Sequence, residues 1–136
     1  MLHDIADAVM DRSNENHEEK TLEIAIKFLK ESGFNDSEIT VIEDAIKSHS
    51  CYGNERPQTI EGRVMATADG IAHLQSDFYE FALKEKRKAE SLQEISKWAV
   101  EKINRDFNEK IFFKDLQKEV ESDYRRLLTQ FENLGK

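Results

Sequence analysis

Asn35-Asp36-Ser37-Glu38-Ile39-Thr40-Val41-Ile42-Glu43-Asp44-Ala45-Ile46-Lys47-Ser48-His49 is the stretch on which the fold turns. Asn35 followed three residues later by Glu38 is a capping-box pattern, in which each side chain satisfies the other's orphan backbone N–H. Ile39, Ile42, Ala45 and Ile46 then recur at helical spacing, and His49 continues that apolar stripe. The segment predicts a helix with one buried face.

The same pattern extends in both directions. Toward the N-terminus, Leu22, Ala25, Ile26 and Leu29 predict a helix over 17–32, with Gly33 as its stop. Residues 2–11 read as the end of another helix. Toward the C-terminus, 50–58 is a loop holding Gly53, Asn54 and Pro57. Thr59 is expected to cap a long helix with Ile60, Val64, Ala68, Ile71, Leu74 and Phe78 on one side, ended by the charged run 84–90. Ser91 and Glu94 form a second capping box. It opens a helix with Leu92, Ile95, Ala99, Ile103 and Phe107 inside. A last helix carries Phe113, Leu116, Val120, Leu127 and Phe131 and is expected to stop near Gly135.

No stretch alternates strictly enough for a strand, and one proline and five glycines leave helices uninterrupted. The expectation is an all-α protein of about five to six helices with no sheet. One domain over 1–136 is expected, with 76–136 packed on 2–75.

Lys and Arg total 20 against 28 Asp and Glu, a net charge of −8, and no concentrated basic stripe exists. This excludes a general nucleic-acid polymer binder. An anionic small molecule stays compatible, because a bound cation reverses the local field of an acidic site. Cys51 is the single cysteine, which excludes an intrachain disulfide and suits a reducing compartment. No apolar run reaches the roughly 18 residues of a membrane helix. The first residues lack the basic region of a signal peptide. A cytoplasmic protein with no membrane partner is expected.

Five positions carry the chemistry. His3 is followed at once by Asp4. His17 heads a helix. His49 ends a helix on its apolar side. Asp69 sits mid-helix in Met65-Ala66-Thr67-Ala68-Asp69-Gly70. Aspartate is a poor helix former, and a buried carboxylate needs a partner. A divalent metal is one such partner. Mixed imidazole and carboxylate donors suit Mn, Fe, Co, Ni, Zn or Mg. Plainer readings stand beside these: a helix-start residue for His17, and a cation at a helix C-terminus for His49. His73, one turn after Asp69, is either a second-layer partner or a polar core residue. Asp7 and Asp11 read as solvated helix residues, with a place near the metal site left open for Asp7, and Cys51 reads as inert packing with a substrate contact as its alternative.

Leu2-His3-Asp4-Ile5, the stretch 45–50, Pro57 with 59–63, and Ala68-Asp69 follow one another in an order that resembles the HD-domain superfamily of metal-dependent phosphohydrolases. The resemblance covers about 2–75. It implies His3, Asp4 and Asp69 as metal ligands, with His17 and His49 as the extra histidine ligands of branches that hold two ions. It implies phosphoester hydrolysis of a nucleotide or other small phosphate ester by metal-activated water, with Asp4 also orienting that water. Arg56 and Lys20, then Lys47 and Arg63, are the candidate cations for substrate phosphate by proximity to these motifs. The family also carries a metal histidine upstream of the dyad, which has no counterpart here. Hence the alternative expectation is a catalytically incomplete helical module with a binding or assembly role. A homodimer through the stripe Leu116, Val120, Leu127 and Phe131 is compatible with either.

Overall fold

The computed structural model describes residues 2–134 and 136. Every regular element among them is helical, and no strand occurs. A 3-10 helix spans Leu2–Ala8. Seven α-helices follow: α1 His17–Glu31, α2 Asp36–Ser48, α3 Ile60–Gln75, α4 Phe78–Lys86, α5 Leu92–Asn108, α6 Lys114–Glu119 and α7 Glu121–Leu134. The all-α class is as expected, with two more helices than the upper expected number.

The additional elements have local causes. The long helix expected through Phe78 breaks after Gln75, where the Phe78 N–H bonds the Ser76 hydroxyl at 3.3 Å and α4 begins. The C-terminal helix is interrupted at Val120, whose ψ of 5° departs from helical geometry. The N-terminal segment is 3-10 rather than α and bends at Asp4 (φ −124°, ψ 21°). The expected stop at Gly135 lies outside the described residues.

The predicted caps are present. Glu38 N–H donates to the Asn35 side chain at 3.0 Å, and Asn35 N–H to Glu38 at 2.9 Å. Ser91 and Glu94 repeat that arrangement. Gly33 (φ +86°) ends α1, with Gly33 N–H on the Lys30 carbonyl and Phe34 N–H on the Leu29 carbonyl. That pair of bonds is the Schellman pattern, which favours a residue without Cβ at the left-handed position. Thr59 Oγ1 accepts from Gly62 N–H at 3.1 Å and caps α3.

The chain divides into two compact units, Met1–Met65 and Ala66–Lys136. In the first, the 3-10 helix packs on α1 and α1 on α2. Ala6, Ala25, Leu29, Ile39, Ala45 and Ile46 are buried there. In the second, α5 packs along α7. Leu74, Tyr79, Ile95, Ala99, Ile103, Ile111, Val120, Leu127 and Phe131 make its core. Val120, Leu127 and Phe131, three members of the C-terminal stripe, are thus buried among the unit's own residues, while Leu116 is partly exposed.

The apolar side expected for α3 is corrected in its first half. Leu74 is buried and Ile71 packs against the core as expected, but Ile60 and Val64 are more than half exposed and Ala68 is exposed, whereas Ala66, Thr67, Asp69 and Gly70 are buried. Small residues turn inward because α5 approaches closely. A Cβ on Gly70 would stand 2.8 Å from the Asp106 carbonyl oxygen and 3.2 Å from Lys110 Cβ. No helix among the described residues is long and apolar enough to cross a membrane.

Candidate metal centre

In the first unit the 3-10 helix delivers His3 and α2 delivers His49. The two imidazoles lie edge to face with centroids 4.8 Å apart. His49 is the C-cap of α2, and its Nδ1 donates to the Ile46 carbonyl at 2.6 Å. A carbonyl only accepts, so the proton sits on Nδ1 and the lone pair of the neutral ring is at Nε2. This is how ligating histidines are oriented in metal sites. His3 is buried, with its Nε2 3.2 Å from Asp4 Oδ2.

Asp4 and His17 enter a different set of bonds. Arg12 donates to Asp4 Oδ2 at 2.5 Å and to Asp7 Oδ2 at 2.7 Å. His17 Nε2 lies 2.6 Å from Asp7 Oδ1. A continuous line of polar contacts therefore runs from His17 through Asp7, Arg12 and Asp4 to His3. Burial alone would raise the Asp4 carboxyl, but the His3 contact and the Arg12 charge outweigh it and hold Asp4 well below the usual carboxylate range. Asp7 shifts the same way: burial opposes, and the Arg12 and His17 bonds prevail.

Three of the four expected phosphate cations are otherwise engaged. Lys20 Nζ bonds Glu23 at 2.8 Å. One Arg56 nitrogen donates to the carbonyls of Cys51, Gly53 and Glu55 at 3.0, 3.1 and 2.6 Å, which staples the 50–58 loop around the left-handed residues Cys51 and Gly53. Lys47 pairs with Glu43 at 2.6 Å.

In the second unit Asp69 lies on the buried side of α3 and is bonded by Lys110 Nζ. His73 Nε2 is 3.6 Å from Asp69 Oδ1, and its Nδ1 is 3.1 Å from Asp106 Oδ2. His73 is therefore both a polar core residue and a neighbour of Asp69. Asp106 is fully buried and gathers four groups. The Tyr79 hydroxyl donates at 2.5 Å, Lys102 lies at 3.3 Å and Lys110 at 3.5 Å, besides His73. Burial would raise the Asp106 carboxyl, but the His73 hydrogen bond and the Lys102 and Lys110 charges depress it. Burial and the Asp106 charge push the Tyr79 phenol far up, so it remains a donor.

Lys102, Asp106 and Lys110 were not singled out from sequence. They had a signal. The buried stripe Ile95, Ala99, Ile103 continues at three- and four-residue steps to Asp106 and Lys110, so charges fall where apolar residues are due.

Of the five expected ligands, the first unit brings the His3 and His49 imidazoles together, and Asp69 lies in the second unit. Imidazole and carboxylate donors suit a divalent first-row metal. Asp4 contacts His3, and His17 is linked to it through Asp7 and Arg12. Compared with family models, curated proteins and solved structures, the chain has no match.

Proposed function

We propose that the chain is a divalent-metal-dependent phosphohydrolase domain acting on a nucleotide or another small phosphate ester. The observation that carries this reading is the His3 and His49 imidazole pair, with ring centroids 4.8 Å apart and the His49 tautomer fixed by Ile46. It agrees with the resemblance of His3-Asp4, His49 and Asp69 to the HD superfamily. When bound, a divalent ion supplies Lewis-acid polarisation of a phosphoryl oxygen and a water acidic enough to attack near neutral pH.

The remaining steps fall to the chain's own side chains. Asp4 is held ionised by His3 and Arg12, which suits a hydrogen-bond acceptor better than a proton store. Its task in this reading is to orient the attacking water. Arg12 is half exposed and bonded to Asp4, which supports giving it, rather than Lys20 or Arg56, the neutralisation of substrate phosphate. His17, through Asp7, fixes the Arg12 guanidinium.

The second reading, a helical module without catalysis, has one observation in its favour. Asp69 and Asp4 each already carry a cationic partner within the chain, Lys110 and Arg12. Two measurements separate the readings. Calorimetric titration with Mn²⁺ should give saturable binding that Asp69→Ala abolishes. Hydrolysis of a nucleotide panel and a generic phosphoester should depend on the added metal. Saturable binding without any turnover would favour the module.

A further inference from the structure

Asp69 and Asp106 are two buried carboxylates in one unit, and isolated buried carboxylates are strongly unfavourable. Lys110, itself only 2% exposed, bonds Asp69 and also faces Asp106. Lys102 is a second cation of the cluster and lies 3.3 Å from Asp106. Lys110 is also held firmly in place. Its carbonyl accepts from the Thr67 hydroxyl at 3.2 Å, and Thr67 Oγ1 in turn accepts from Phe112 N–H at 3.1 Å. Its N–H bonds the Arg105 carbonyl, and Gly70 packs against its Cβ.

From this geometry we infer that Lys110 is a built-in cation standing in for the metal at Asp69. The inference rests on the metal reading above. Its content is that the chain folds without metal because Lys110 neutralises Asp69, and that a divalent ion arriving at Asp69 must bind against the Lys110 charge. Lys110 is then a positioning residue that sets metal affinity, without contact to substrate.

The test uses the full chain and Mn²⁺ alone, in wild type, Lys110→Met and Lys110→Arg. Affinity is read by calorimetry, and thermal midpoint is read in chelator and in excess Mn²⁺. Removing one buried charge beside a divalent ion should tighten Mn²⁺ binding by about tenfold or more. Lys110→Met should melt lower than wild type in chelator and recover in Mn²⁺, whereas Lys110→Arg should follow wild type. Chelated wild type should stay folded and melt cooperatively.

If wild type binds Mn²⁺ and Lys110→Met gains no affinity, the inference falls while the metal reading stands. If only Lys110→Met binds, the inference holds and the metal reading of the native chain fails. If neither binds, both fall. A chelated wild type that is unfolded, or a Lys110→Met chain that stays unfolded in excess Mn²⁺, also overturns the inference.

Discussion

His49 Nδ1 donates to the Ile46 carbonyl oxygen at 2.6 Å, one turn back along the same helix. The bond fixes both the tautomer and the ring plane, so the lone pair of the neutral ring is on Nε2. His49→Ala removes that nitrogen without touching the α2 capping box at Asn35 and Glu38. Mn²⁺ affinity should fall by at least about 100-fold, beyond the effect expected of losing an outer-layer partner. Isothermal titration reads the affinity, and far-UV circular dichroism should show unchanged helix.

Gly70 is required by the approach of α5 to α3. A methyl group there would meet the Asp106 carbonyl at 2.8 Å, and backbone cannot step aside as a flexible side chain can. Gly70→Ala should destabilise the chain by about 1–3 kcal/mol, the usual range for overpacking, despite alanine's better helix propensity. Urea denaturation followed by helix content measures this.

Asp106 makes stability depend on acid. Its carboxyl is depressed in the folded chain by His73, Lys102 and Lys110 against the opposing effect of burial. A depressed carboxyl contributes stability that is complete above its unfolded value, about 4, and is lost as pH falls toward the folded value. Wild-type urea midpoints should therefore decline below about pH 4. Asp106→Asn should be less stable at neutral pH and show a flatter decline. A parallel decline would assign the acid sensitivity elsewhere.

Arg12 bridges Asp4 and Asp7 at 2.5 and 2.7 Å. In the proposed reaction Arg12→Met should raise KM and lower kcat, because it removes a phosphate cation and loosens Asp4 together. Lys20→Met should leave both near wild type, since Lys20 is paired with Glu23. Steady-state kinetics on one turned-over phosphoester distinguish them.

Helices were legible wherever local chemistry decided them. The boxes at Asn35/Glu38 and Ser91/Glu94, the Gly33 stop and the Thr59 cap depend on neighbours within one turn, and all are present. Features set by distant packing were not legible. The α3 side carrying Ile60 and Val64 looked apolar in isolation, yet Gly70 and Asp69 face inward because α5 comes within contact of Gly70. The donor types at His3, His49 and Asp69 could be read from order along the chain. The ammonium on Asp69 could not, because Lys110 lies 41 residues away and reads alone as an ordinary lysine.

Metal-dependent hydrolysis, the proposed activity, is read by phosphate release. Wild type and Asp69→Ala are each assayed on a panel of nucleotides and a generic phosphoester, in Mn²⁺ and in chelator. Wild type should turn over in Mn²⁺ only, and Asp69→Ala should lose at least about 100-fold, in line with the loss of electrostatic stabilisation at a reacting centre. Turnover that persists in chelator, or that Asp69→Ala leaves intact, would rule the proposed activity out.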